Sequence, residues 1–300
     1  RKRWNEKSTT DAKSLSDKYN KLVQDYSDEP IAGRGRTWFR ALTGQSQSEI
    51  SAAPSVLCAD HKLGNHDARF IAVVPNAAHR FPRVRNGEVG LEEGWTIARY
   101  VRQAIAEDAG KEVKRAIICV VDVPSQAYGY REELLGINLA CAAAADSYAS
   151  ARLAGHPVIA LLVGHAISGA FLAHGLQSHR LIAFDDPGVL VQVMSKKSAA
   201  RVTRRTIEEL EAAAKKVPAI AYDVRSFATL GALDSLLEGI QADEPTEQDI
   251  ETVCYKLTQT IDQIRQHPHG LEIRLSSNEA KRNRAASIEV RKRMHEQWNN

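Results

Sequence analysis

The hydrophobic positions follow two alternating patterns over the middle of the chain. Short, nearly continuous apolar runs predict buried strands at 69–74, 116–123, 158–163, 180–184 and 189–194. Apolar residues at helical spacing predict helices between them, at 95–108, 131–153 and 169–177. Strands that are separated by helices favour parallel pairing with right-handed crossovers. The sequence therefore predicts an α/β fold.

The two ends of the chain have different patterns. Apolar residues between Leu15 and Tyr26 fall at helical spacing and predict one amphipathic helix in the first thirty residues. The last third predicts helices at about 198–216, 246–266 and 278–297. Gly33-Arg34-Gly35-Arg36 is interpreted as a break before the main domain, or as a solvated basic loop.

We therefore expect three parts in the chain. Residues 1–32 form a helical N-terminal extension, a linker, or the end of an upstream fused part. Residues 33–270 form the main domain, and residues 271–300 form a C-terminal helix.

The charges are balanced overall but segregated along the chain. The 40 basic and 37 acidic residues give a net charge of +3, which argues against a nucleic-acid partner. Residues 234–251 contain seven acidic residues and no Lys or Arg, whereas residues 196–216 contain seven basic and three acidic ones. This segregation is compatible with an acidic protein partner that binds the basic segment.

Cysteine and histidine usage predicts a cytoplasmic protein without a metal site. The four cysteines form no CxxC pair, which is typical of a reducing compartment and gives no zinc motif. His165, His174 and His179 lack the i, i+4 spacing of a helical metal pair. The start of the chain does not look like a signal peptide, and the longest apolar run, Val158–Val163, is too short to span a bilayer.

The segment VIALLVGHAISGAFLA at 158–173 holds the strongest candidate site. It predicts a buried strand, a turn containing Gly164, and a helix of small residues beginning near Gly169. The first N–H groups of such a helix have no internal partner and can bind an anion or a developing oxyanion. The segment lacks the dinucleotide, P-loop and Gly-x-Ser-x-Gly motifs. Close packing of helix on strand is the alternative reason for its small residues.

A second turn of the same kind follows the strand at 116–123. The segment VDVPSQAYGYREE at 121–133 places Gln126 and Ala127 at this turn. Ligands of α/β proteins collect at the carboxyl ends of the strands. Two such turns could each direct one N–H at the same carbonyl oxygen.

Several segments resemble a known family of enzymes. DVPSQAYG at 122–129, GHPVIAL at 155–161 and VGHAISGA at 163–170 resemble the α-half of acyl-CoA carboxyltransferases. GRGRTWFRALTG at 33–44, together with 195–206 and 217–233, is more similar to γ subunits of biotin-independent malonate decarboxylases. The resemblance covers about residues 33–265.

The resemblance implies a crotonase-like fold of spiralling ββα units rather than a doubly wound sheet. The activity it implies is a carboxy-lyase reaction, the conversion of a malonyl thioester on the phosphopantetheine-like arm of an acyl carrier protein to the acetyl thioester and CO₂. Neither biotin nor a metal would be bound. Implied partners are a crotonase-like β subunit that shares the active site, an acyl carrier protein subunit and an acyl carrier transferase subunit.

Matching the family's turns gives the expected site residues. The N–H groups of Ala127 and Gly169 would stabilise an oxyanion beside Gln126 and Ser168. The residues expected to contact substrate are Gly164, His165, Ala170 and Tyr128. The residues expected to contact the carrier protein or the phosphate of its arm are Lys196, Lys197 and Arg201, which are equally compatible with a solvated helix face.

Three alternatives stay open on the sequence alone. The turn at 165–170 reads His-Ala-Ile-Ser-Gly-Ala and has fewer glycines than the carboxyltransferase turn, which leaves the exact N–H donor open. In the carboxyltransferases the α-half holds carboxybiotin and the β-half holds the acyl thioester, so the N–H groups of this chain could hold the leaving carboxylate while the partner holds the enolate. The chain could instead be an α-type subunit of a biotin-dependent acyl-CoA carboxyltransferase. It could also be a mainly structural partner of the β subunit.

Overall fold

A seven-stranded sheet is the centre of the computed structural model, which describes residues 33–45, 53–267 and 270–298. The strands are β1 Val56–Leu63, β2 His66–Val73, β3 Ala116–Val123, β4 Val158–Ile167, β5 Arg180–Phe184, β6 Val191–Gln192 and β7 Ser235–Leu237. Their order is β1-β2-β3-β4-β5-β7, and β6 pairs with the far end of β4. β1 and β2 are antiparallel, and the other pairs are parallel, with Val120 opposite Leu161 between β3 and β4.

Helices surround this sheet and connect its strands. The α-helices are α1 Arg34–Thr43, α2 Leu91–Glu107, α3 Tyr130–Leu134, α4 Ile137–Leu153, α5 Ser168–Ala173, α6 Lys196–Thr203, α7 Ile207–Ala214, α8 Val224–Ala228, α9 Glu247–Gln266, α10 Asn278–Asn283 and α11 Ala285–Trp298. Short 3-10 helices lie at Pro82–Val84, Pro218–Ile220 and Leu271–Leu275. Within the described ranges, no helix is both long and apolar enough to cross a membrane.

The core lies on the parallel strands. Every residue of β3 is buried, as expected of a parallel strand that is covered on both faces. Helices α2 and α4 pack closely on each other, and Gly94 allows this approach. A Cβ at position 94 would lie only 2.6 Å from the Ala140 carbonyl oxygen. The ring of Trp38 in α1 packs on Phe184 of β5 with 4.6 Å between centroids. The prediction of an α/β fold is confirmed.

The structure differs from the sequence prediction at both edges of the sheet. Strands β1 and β7 were not expected. Residues 60–62 of β1 are exposed and polar, so its apolar pattern is short. β1 joins β2 in a hairpin at Gly64, which has a φ of 57°. The strand expected at 189–194 has only two residues, Val191 and Gln192.

Three of the predicted helices are interrupted. The helix expected at 131–153 breaks at Gly136, which has a φ of 84°. The one expected at 198–216 breaks at Arg204, after which Thr206 and Glu209 cap α7 reciprocally. The one expected at 278–297 breaks at Arg284. The amphipathic helix expected in the first thirty residues lies outside the described residues.

A buried histidine ties α5 to the sheet. His174 immediately follows α5, and its imidazole is 2.9 Å from the Tyr148 hydroxyl of α4 and 3.1 Å from the Val120 carbonyl of β3. Burial lowers the pKa of His174 to about 4. Burial and nearby arginines also lower the pKa of His179, the residue before β5, to about 4. Both imidazoles are therefore neutral at physiological pH.

We expect the chain to lose stability as the pH falls from about 6.5 to about 4. The unfolded chain protonates its histidines near pH 6.5, whereas the folded chain resists protonation until about pH 4. Each histidine then contributes a slope of about 1.4 kcal/mol per pH unit. Melting temperatures across this range test the expectation. His174→Gln removes one histidine whose pKa is lowered to about 4 and is expected to flatten the slope; an unchanged slope would contradict the expectation.

Candidate active site

An irregularity in β4 forms the base of the candidate site. Val121 of β3 pairs with Leu162 of β4, but Val123 pairs with Ala166. Asp122 therefore faces three residues, Val163–His165, which we call the β4 bulge. Bulges commonly lie beside active sites because they redirect the strand.

The carboxylate of Asp122 is buried against this bulge. One oxygen accepts the N–H of His165 at 3.0 Å, and the other accepts the N–H of Gly35 at 3.2 Å. Gly164 makes the approach possible, because a Cβ there would lie 2.2 Å from the Asp122 oxygen. Burial raises the pKa of Asp122, while the two N–H donors and the nearby Arg34 act in the opposite direction.

Arg34 at the start of α1 contacts the same bulge from the other side. Its guanidinium donates to the Val163 carbonyl at 3.2 Å and to Asp186 at 2.8 Å, and it binds Asp243 through two nitrogens. The Arg34 side chain is only 11% exposed. Burial opposes its charge, but the hydrogen bonds that it donates to Asp243 and Asp186 outweigh burial and raise its pKa. The interpretation of residues 33–36 as a solvated basic loop is therefore wrong, because α1 begins at Arg34.

The turn after the bulge brings the two predicted loops together. The N–H of Gly169 donates to the Gln126 side-chain oxygen at 2.8 Å. Ser168, which precedes it, has a φ of 63°, a left-handed conformation that is uncommon and costly for a residue with a Cβ. Strain of this kind is concentrated at functional sites. The structure thus places Gln126, Ser168 and Gly169 next to one another, as the sequence predicts.

Ala127 requires a correction. Its N–H donates to the Val89 carbonyl at 2.8 Å, within a short parallel bridge between Val89 and Gln126. This N–H is therefore used inside the chain and does not point at a ligand in this conformation. Val89 precedes α2, and no periodic pattern in the sequence marks it as a partner of this loop.

The residues expected to contact substrate lie in different surroundings. His165 is half-buried, and burial lowers the pKa of its imidazole, which is therefore neutral. Among the residues that the structure describes, its Nδ1 has no hydrogen-bond partner. Gly164 is buried in the bulge and Ala170 is buried in α5, so both contribute close packing. Tyr128 is exposed beside Gln126.

The basic residues predicted to meet a carrier protein all lie on α6. Lys196 is paired with Glu211 of α7 at 2.9 Å and lies 5.7 Å from the centre of the Tyr222 ring. Lys197 and Arg201 are exposed. No residue of α6 or α7 is buried, so both helices lie on the surface.

Sequence reasoning missed three residues that shape this site: Arg34, Gly35 and Asp122. Arg34 and Gly35 lie in the segment 33–44, and Asp122 lies in the segment 122–129; the resemblance of both segments to the family is the signal in the sequence that points to these residues. The described residues contain no group of three His, Cys, Asp or Glu side chains that could hold a metal ion.

Comparisons with known proteins agree on one family. The family model for the malonate decarboxylase gamma subunit matches residues 84–298. The malonyl-S-ACP:biotin-protein carboxyltransferase of Malonomonas rubra is 36% identical over 202 residues, which cover 66% of this chain and 69% of that protein.

Solved structures extend the agreement to the fold. A chain of a Pseudomonas malonate decarboxylase hetero-tetramer in complex with coenzyme A is 49% identical, with a TM-score of 0.85 over 89% of this chain and all of that one. A chain of the Pseudomonas MdcD–MdcE hetero-dimer is 48% identical, with a TM-score of 0.82 and the same coverage. Transcarboxylase 12S, at 19% identity, is similar in fold alone, with a TM-score of 0.57 over 75% of this chain and 40% of that one.

These similarities confirm the crotonase-like fold and the resemblance drawn from the sequence segments. The family model covers most of the chain, and the Pseudomonas chains match along their whole length. This chain belongs to the family of malonate decarboxylase gamma subunits.

Proposed function

We propose that this chain supplies half of an active site that converts malonyl-S-acyl carrier protein to the acetyl thioester and CO₂. The observation that carries the proposal is the Gly169 N–H, which holds an acceptor oxygen of Gln126 at 2.8 Å. A thioester oxygen at the same distance would accept the same hydrogen bond once the Gln126 side chain moved aside.

The chemistry needs such a donor. When the bond between C2 and the carboxylate breaks, CO₂ leaves and the electron pair stays on the substrate as a thioester enolate. Its negative charge lies largely on the thioester oxygen, and protonation at C2 then gives the acetyl group. A preorganised N–H aimed at this oxygen is worth about 3 kcal/mol of barrier in other oxyanion holes.

A second subunit completes the site in this proposal. Five large apolar residues on or between α3, α4 and α5 are each more than half exposed; we call them the apolar face: Tyr130, Leu134, Leu135, Leu139 and Leu172. They follow Gln126 and Gly169 closely in the chain and lie on or between helices that contact one another. Large exposed apolar side chains on neighbouring helices are typical of a surface that a partner covers. The Pseudomonas relatives occur as a hetero-dimer and hetero-tetramers. We therefore assign the apolar face to a crotonase-like β subunit.

The proposal includes neither biotin nor a metal. The thioester arm of the carrier protein supplies the substrate, and an acyl carrier transferase subunit would load it. The Malonomonas relative is a biotin-protein carboxyltransferase, but identity to the malonate decarboxylase chains is higher and covers all of their length. Four free thiols, two of them buried, support a cytoplasmic location.

Gly169→Val is expected to lower the kcat of the assembled complex on malonyl-carrier protein by about 100-fold. The added side chain would meet the Gln126 carboxamide, whose oxygen lies 3.1 Å from the Cβ position, and would block the approach of the thioester. Gly110→Val is the matched control, because the space around Gly110 is open.

Size-exclusion chromatography checks that both variants assemble with the β subunit. Retained turnover in assembled Gly169→Val would favour a mainly structural role for this chain. Adding avidin to the assay distinguishes the biotin-dependent alternative from the proposed function. Avidin would stop turnover only if the reaction required biotin.

We also propose that α6 contacts the acidic carrier protein. Reversing the charges of Lys197 and Arg201 to Glu is expected to weaken carrier-protein binding about tenfold and to reduce its dependence on salt. Lys281 and Arg282 of α10, reversed in the same way, are the matched control and are expected to leave binding unchanged. Fluorescence anisotropy of labelled carrier protein over a salt series measures the affinity and the salt dependence of binding for both double variants. Equal effects of the α6 variant and the α10 variant would contradict the proposal that α6 contacts the carrier protein.

A further inference from the structure

Strand β4 changes its neighbour at the β4 bulge. Before the bulge, residues 159–162 pair with β5; after it, residues 166–167 pair with β6. Ser168 and Gly169 follow immediately. The geometry of the bulge therefore decides where the Gly169 N–H lies relative to Gln126.

The bulge removes main-chain groups from the sheet ladder, and two side chains replace the missing partners. The His165 N–H donates to Asp122, and the Val163 carbonyl accepts from Arg34. A buried main-chain group without a hydrogen-bond partner is destabilising, so both replacements stabilise this conformation. Asp122 lies on β3 and Arg34 on α1, which means that two other elements hold the bulge.

Glycines allow the three elements to approach this closely. A Cβ at Gly164 would lie 2.2 Å from the Asp122 carboxylate, and a Cβ at Gly35 would lie 3.1 Å from the Val73 carbonyl oxygen. The Gly35 N–H reaches the second oxygen of Asp122. One carboxylate therefore links α1 to the bulge.

The position of Arg34 is fixed in turn from outside the sheet. Asp186, between β5 and β6, and Asp243, before α9, both bind its guanidinium. The neighbouring Trp38 side chain donates to the Ala242 carbonyl at 2.8 Å. The loops that follow β5 and β7 thus hold Arg34 against Val163.

We infer that Asp122 and Arg34 are positioning residues that hold the β4 bulge so that the Gly169 N–H is presented beside Gln126. The inference rests on the proposed function for its catalytic consequence. Neither residue lies among those expected to touch the reacting atoms; each acts through the main chain of Val163 and His165. Residues Arg34 and Gly35 of the GRGR stretch therefore help to hold the β4 bulge in place.

Asp122→Asn is the first test, because it keeps the size of the side chain but leaves one oxygen for two N–H donors. Asp108→Asn is the matched control. The Asp108 carboxylate is also buried, accepts the Arg115 N–H at 2.9 Å and binds the Arg115 guanidinium at 2.7 Å, but it precedes β3 and lies away from the bulge. Both variants are studied in the assembled complex with the β subunit.

Two readouts separate positioning from general stability. Hydrogen exchange of the segment containing Gly169 is expected to speed up about tenfold or more in Asp122→Asn and to stay near wild type in Asp108→Asn. The kcat on malonyl-carrier protein is expected to fall about tenfold or more, with KM changed less than about threefold. Asp108→Asn is expected to lower the melting temperature without changing kcat.

The inference is overturned if Asp122→Asn matches Asp108→Asn in both readouts. If Asp122→Asn does not assemble, Arg34→Lys replaces it; this variant keeps the charge but cannot span Val163, Asp186 and Asp243 at once, and it is expected to show the same two effects to a smaller degree. A wild-type complex that fails to decarboxylate the malonyl thioester would defeat the proposed function. Exchange at Gly169 would still test the positioning itself.

Discussion

The arrangement of the site depends on one buried carboxylate. Asp122 lies at the carboxyl end of a strand that is buried throughout, where an ionised side chain is stable only if its oxygens are hydrogen-bonded. Both oxygens accept main-chain N–H groups, one from α1 and one from β4. This pair of hydrogen bonds fixes the start of α1, the end of β3 and the bulge of β4 relative to one another. Ser168 and Gly169 follow the bulge closely in the chain, so these hydrogen bonds also help to set the position of both residues.

In this chain the main-chain N–H groups of the two loops are hydrogen-bonded to other groups of the same chain. The Gly169 N–H is occupied by the Gln126 side chain, and the Ala127 N–H by the Val89 carbonyl. A donor that is satisfied internally costs nothing in the free subunit, and a substrate oxygen needs only to displace one flexible side chain to reach it. The apolar face lies on the helices that follow these two loops. The same segments therefore carry the donor and the surface assigned to the β subunit, which fits a site that is completed only on assembly.

The sheet could be predicted from the sequence because its inner strands are continuous apolar runs. Residues 116–123 and 158–163 show the pattern of strands covered on both faces, and the two loops after them were expected to meet.

The hydrogen bonds that shape the site could not be predicted. Asp122 and Gly35 are 87 residues apart, and nothing in the local pattern of either residue points to the other. Arg34 looked like a solvated charge because its partners, Asp186 and Asp243, are more distant still. Apolar spacing does not predict the helix breaks at Gly136 and Arg204, because the spacing continues across both positions and a single left-handed residue ends each helix.

The central claim is that the Gly169 N–H receives the thioester oxygen of the substrate. A crystal structure of the assembled complex with a malonyl-thioester analogue that cannot lose CO₂ tests it most directly. The account predicts the thioester oxygen about 2.7–3.1 Å from the Gly169 nitrogen, with the Gln126 side chain turned away and the β4 bulge unchanged. A bound analogue whose thioester oxygen lies elsewhere, with the hydrogen bond between Gly169 and Gln126 intact, would contradict it.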